Sequence, residues 1–186
     1  MDSMTLTRVL AFLAIAAVAI PLASTSRALA ADGGEVEVGR TTIDITHGGG
    51  VEPDDQADIS VKFKDVQNPD TCNKSNDDLV SHGVKVSLHE GTCASTPDAS
   101  ATIPSFRSIS GSNMALFEGE TAEGETADAV LRHMPTPAGS CGKWKLKLDA
   151  SNMDLSGITS SPVALTVELP DGSSRCVEVN NTVIDQ

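Results

Sequence analysis

Lys143-Trp144-Lys145-Leu146-Lys147-Leu148 sets three lysines against one tryptophan and two leucines at a strict period of two. Side chains two apart share one face of a strand, so the lysines face water while Trp144, Leu146 and Leu148 face a core. The same pattern returns in Ile59-Ser60-Val61-Lys62-Phe63-Lys64, in Val84-Lys85-Val86-Ser87-Leu88-His89 and in Val163-Ala164-Leu165-Thr166-Val167-Glu168-Leu169. Weaker strand candidates are Thr42–Thr46, Ala101–Phe106, Met114–Glu118, Ala127–His133 and Cys176–Asn180. Turn chemistry separates them at Asn68-Pro69-Asp70, Thr96-Pro97-Asp98, Pro135-Thr136-Pro137 and Pro170-Asp171-Gly172. No segment holds a helical period for three turns. Asn152–Gly157 is short enough for one helical turn at most. Short strands with one wet face and frequent turns predict an all-β chain, a two-layer antiparallel β-sandwich; a closed β-barrel is the alternative.

Upstream of these strands, residues 1–30 read as a secretory signal peptide. Arg8 precedes an almost wholly apolar run from Val9 to Leu22, and Ala28-Leu29-Ala30 supplies a small-x-small cleavage pattern before Ala31. The run is short of the roughly 20 residues that span a bilayer. No Cys follows it, which disfavours a lipoprotein anchor. The expectation is a chain starting at Ala31, secreted or periplasmic, without membrane insertion.

The net charge is −13. The leader carries +1, from Arg8 and Arg27 against Asp2, so the remainder carries −14. An acidic surface repels nucleic acid and anionic lipid, which disfavours both as partners. Aromatic residues past the leader are Phe63, Phe106, Phe117 and Trp144, with no Tyr. The core must therefore be built from smaller aliphatic side chains. Cross-links offset that deficit, at roughly 3 kcal/mol each. Cys72, Cys93, Cys141 and Cys176 all follow the leader. An even number in an exported chain reads as two disulfides. The expected pairs are Cys72–Cys93, across the Val84 strand, and Cys141–Cys176, from the Trp144 strand to the last strand. Alternation sets Cys176 on the face opposite Val177 and Val179, which argues against the second pair unless the strand bulges. There is no Cys-x-x-Cys, as a zinc knuckle or a thioredoxin-like site would require.

Residues 31–56 read as an N-terminal strand and a Gly-rich acidic linker, with the sandwich domain over 57–186. Val36, Val38, Ile43 and Ile45 alternate with polar residues, and His47-Gly48-Gly49-Gly50 reads as a flexible joint. Such a strand folds back onto its own sheet or completes a neighbour's by β-augmentation. The short joint and the acidic Glu52, Asp54 and Asp55 favour fold-back in a monomer. The repeat Glu118-Gly119-Glu120-Thr121-Ala122 and Glu123-Gly124-Glu125-Thr126-Ala127 is too short for a solenoid unit and reads as a solvated hairpin tip.

Lys143–Ala150, Asp154-Leu155-Ser156-Gly157 and Pro162–Val167 together resemble the C-terminal half of immunoglobulin-like domains in secreted bacterial proteins of unassigned function. The resemblance covers about a third of the chain and implies an immunoglobulin-like sandwich without implying an activity. The missing Tyr departs from the tyrosine corner of many such domains.

No catalytic or cofactor-binding residues are singled out. His47-Gly48-Gly49-Gly50 matches an esterase oxyanion loop, but the Gly-x-Ser-x-Gly elbow and the alternating helices that loop serves are missing. The histidines are scattered, with no spacing that brings a Ser beside one. Asp70, Asn73, Asp77 and Asp78 are calcium candidates, although Lys74 and the lack of Gly at position six break the helix-loop-helix pattern. His133-Met134 offers two copper-type ligands, too few for a site. Trp144, inward among outward lysines, reads as core rather than a sugar platform. Asn73-Lys74-Ser75 and Asn180-Asn181-Thr182 fit the glycosylation pattern. The functional expectation is a non-catalytic exported module that binds a protein or cell-surface partner or serves a structural role. The alternatives are a surface-fibre subunit, a calcium-dependent module and a small hydrolase.

Overall fold

The computed structural model describes residues 36–50, 54–65, 79–134 and 142–185. The chain is all-β in two sheets, and neither closes into a barrel. The larger sheet holds β1 (Val36–Thr46), β2 (Asp55–Asp65), β5 (Arg107–Ser108), β6 (Met114–Glu120), β7 (Thr126–Met134), β8 (Lys143–Met153) and β11 (Val183–Asp185), in the order β11-β1-β2-β8-β7-β6-β5. The smaller sheet holds β3 (Val84–Glu90), β4 (Ala99–Ile103), β9 (Val163–Glu168) and β10 (Ser174–Val179), in the order β10-β9-β3-β4. All pairs are antiparallel except β1 with β11, which is parallel.

Alternation places the core. In β8 Trp144, Leu146, Leu148 and Ala150 are buried, and Lys143, Lys147 and Asp149 are exposed. The inward row Ile43, Ile59, Leu148, Ala129 and Phe117 runs straight across β1, β2, β8, β7 and β6. It joins Val84, Val86, Leu88, Val163, Leu165 and Val167 of the smaller sheet in one apolar cluster. Fully burying a Val, Leu or Ile side chain stabilises by about 1.5–3 kcal/mol, and this cluster takes the place of the missing aromatics.

β1 is part of this packed unit. Val36, Ile43 and Ile45 are essentially buried, and the strand pairs with β2 of its own chain. The boundary expected near Ala57 falls inside β2. Nor is the glycine run a free joint. Gly48 N–H donates to Asp55 Oδ1 at 2.9 Å and Gly50 N–H to Asp54 Oδ2 at 2.8 Å. A Cβ at Gly48 would overlap the Asp54 carboxylate, so a larger residue there would have to displace that side chain. Asp55 is 8% exposed, and its Oδ2 also accepts Leu155 N–H at 2.8 Å. His47 Nδ1 lies 3.3 Å from Asp55 Oδ1, and Nε2 lies 2.9 Å from the Ile158 carbonyl. The acidic loop residue expected to repel a second chain is thus spent on joining the β1–β2 loop to the β8–β9 loop.

Residues 79–82 form one helical turn ahead of β3. Gly83 ends it at φ +76°, where a Cβ would collide with the Ile103 carbonyl. No helical turn forms over Asn152–Gly157. Asn152 instead takes a positive φ of 60° as the extra residue between the partners of Asp55 and Gln56, a bulge position that Asn tolerates.

The cross-link differs from expectation. Cys93 is bonded to Cys176. Neither Cys72–Cys93 nor Cys141–Cys176 is then available. Cys176 pairs across the ladder with Thr166, and Thr166 with Ser87, so all three lie on the outward face of the smaller sheet. The β3–β4 loop folds back over that face. His89 Nδ1 bonds to the Ser95 carbonyl and Nε2 to Thr166 Oγ1, both at 2.9 Å. That loop delivers Cys93 to Cys176 and leaves Ser87 and His89 buried. Cys72 and Cys141 lie outside the described residues.

The repeated segment is a hairpin tip, as expected, but it is not wholly solvated. Ala122 N–H donates to the Thr102 carbonyl at 3.0 Å, and Thr102 N–H to Glu123 Oε2 at 2.6 Å. The β6–β7 tip thereby covers the free edge of β4, the kind of edge that otherwise invites strand pairing.

Candidate functional site

The outward face of the larger sheet carries charge in rows. Cross-strand partners place Asp44, Asp58, Asp149, Asp128 and Glu118 side by side on β1, β2, β8, β7 and β6. Adjacent strands lie about 4.8 Å apart, so these are five carboxylates in a line. Two residues away along each strand, roughly 6.7 Å, runs Thr42, Ser60, Lys147, Val130 and Leu116. Beyond it Lys62, Lys145 and Arg132 stand side by side on β2, β8 and β7, and Lys64 pairs with Lys143 one row further.

The rows follow from charge order within each strand. β2 and β7 run from acid to base, Asp58 to Lys64 and Asp128 to Arg132, whereas β8 runs from base to acid, Lys143 to Asp149. Antiparallel pairing reverses alternate strands and so brings like signs together. That arrangement costs stability, because like charges directly opposite each other destabilise a ladder and opposite charges support it. The sheet would be more stable with the signs mixed.

A trough of about 870 Å³ lies over the acidic row and the row beside it, lined also by Ser105 and Arg107. Within it the Asp58 carboxyl is held above the usual carboxylate range, first by partial desolvation, then by the charges of Asp149 and Asp44. Its folded pKa thus exceeds its unfolded one. The resulting penalty is fully present above the folded pKa and is relieved as pH falls through it. Asp58→Asn should therefore stabilise the dilute protein at pH 7 by roughly 0.2–1 kcal/mol, or about 0.4–4 °C in melting temperature. The gain should fade in acid. Thermal melts of both proteins from pH 7 to pH 3 check this, and a destabilised variant at pH 7 would contradict it.

A second cavity, of about 330 Å³, is lined by Val80, Ser108, Asn113, Met114, His133 and Trp144 among others. The His133 and Trp144 rings lie 4.8 Å apart at 53°. Trp144 Nε1 is buried without a hydrogen-bond partner. His133 and Met134 are neighbours in β7 and point to opposite faces, so they do not share a ligand.

The calcium candidates Asp70, Asn73, Asp77 and Asp78 lie outside the described residues. Among the described residues no three metal-ligating side chains converge, and no helix is long and apolar enough to cross a membrane. The charged rows were missed in the sequence. Their signal was present as reversed charge order in successive strands, but it becomes a row only once register is known. No family model, curated protein or solved structure matches the chain.

Proposed function

We propose that the protein is an exported, non-catalytic β-sandwich that works by surface contact, with the outward face of the larger sheet as its contact surface. The observation that carries this is the segregation of charge into rows, which the fold alone would not favour. Export is supported by the leader pattern and by the Cys93–Cys176 disulfide, a bond of oxidising compartments. The immunoglobulin-like reading belongs to the same proposal. It is supported by two packed sheets, antiparallel but for the β1–β11 pair, and by the core position of Trp144, on the strand that carries the resemblance.

Expression with the leader intact, and with a photo-reactive residue in place of Ser60, tests the reading. The recovered protein should lie outside the cytoplasm with a mass starting at Ala31. Irradiation should give adducts from position 60 and not from Glu178, on the outer side of the smaller sheet. Full-length mass in the exported fraction, or no adduct from position 60, would overturn it.

A further inference from the structure

We propose that two copies of this chain pair through the outward faces of their larger sheets, about a two-fold axis lying along the row Thr42-Ser60-Lys147-Val130-Leu116. This rests on the contact-surface reading above and names the partner. The axis sits midway between the acidic row and the row of Lys62, Lys145 and Arg132. Rotation about it turns each strand end for end and keeps the strand order. Asp58, Asp149 and Asp128 of one copy then face Lys62, Lys145 and Arg132 of the other, on the same strands β2, β8 and β7, while Lys147 on the axis faces its own counterpart, one like-charge contact against six opposite-charge ones. The spacing matches without adjustment, because both rows are set by the same interstrand distance. Rotation about the strand direction instead would set like rows on like.

Shape agrees with charge. The acidic row consists of four aspartates and one glutamate, short side chains beneath a trough, whereas the facing row is two lysines and an arginine. Long side chains of one copy enter the trough of the other. Packed sheets keep their strands within about 30° of each other, so the match is closest at the centre, where these three pairs lie. Five strands by the four rows described cover roughly 600 Å² per copy, somewhat below the ~800 Å² per partner of a standard interface.

Other occupants use less of the surface. A polyanion would meet the cationic row and be repelled by the carboxylates beside it. A cation would use the acidic row alone. At physiological ionic strength the Debye length is about 8 Å, so the facing rows rather than the net −14 govern close contact. Pairing through this face leaves β1 in its own sheet, so no strand is exchanged. The monomer expected from sequence weighed only strand exchange.

The test is sedimentation velocity at 0.15 M salt, up to several hundred micromolar. The unmodified protein should dimerise. One variant carries Lys62→Glu, Lys145→Glu and Arg132→Glu; the other carries Asp58→Lys, Asp149→Lys and Asp128→Lys. Each alone should lose association at least ten-fold, and an equimolar mixture should recover it as a heterodimer. Circular dichroism establishes that each is folded. Should a triple variant fail to fold, Lys145→Glu and Asp149→Lys, both on β8, replace the pair. A monomeric unmodified protein, variants that still self-associate, or a mixture that fails to associate would each overturn the proposal. If the position-60 adduct contains a different protein, the contact surface stands and the second copy does not.

Discussion

Trp144→Ala should lower the unfolding free energy by about 3–5 kcal/mol, the range for truncating a buried aromatic. Trp144 is 4% exposed and pairs across the ladder with Phe63 on one side and His133 on the other. It is the largest side chain in a core built mainly of Val, Leu, Ile and Ala, with Phe63, Phe106 and Met153. Trp144→Phe separates two contributions. It keeps a ring against His133 but removes the indole N–H, which is buried without a partner. An unsatisfied buried donor costs about 1–3 kcal/mol, so its removal offsets part of the lost volume. The Phe variant should therefore be clearly more stable than the Ala variant. Urea unfolding of the three proteins checks the order. Near-native stability of Trp144→Ala would mean that the residue is not core.

Breaking Cys93–Cys176 should have the next largest effect. The bond joins positions 83 residues apart, which in the loop-entropy account stabilises by about 4.5 kcal/mol. The same bond holds the β3–β4 loop over Ser87 and His89. Cys93→Ala with Cys176→Ala should therefore lower stability by several kcal/mol and expose the His89–Thr166 hydrogen bond to water. Peptide mapping without reductant should recover a linked Cys93–Cys176 peptide. A Cys72–Cys93 or Cys141–Cys176 peptide would show a different connectivity.

The strands written in clean alternation were legible in the sequence. β2, β3, β8 and β9 lie where the period of two placed them, and Trp144 points inward as its lysine neighbours required. What failed was what depends on distant partners. β11 is three residues long and pairs in parallel with β1, so it carries no period of its own. The glycine run reads as flexible because sequence does not show Asp54 and Asp55 folding back to accept its N–H groups. The orientation of Cys176 was read correctly as opposite Val177 and Val179. Its partner was not, because nothing local says that the β3–β4 loop covers that outer face. The candidate site follows the same division. Each strand's charge order stands in the sequence, yet five carboxylates become neighbours only through four separate registers.

The β1–β11 ladder also bears on time. Asp44 pairs with Val183, so the first strand of the sheet waits for residues about 140 positions downstream before both of its edges are bonded. At 5–20 residues per second that interval is roughly 7–28 s of synthesis. Pairings of such long range are slow to form even in a finished chain. If the chain is exported as proposed above, the delay works in favour of delivery, because a sheet that is not yet complete can still be threaded.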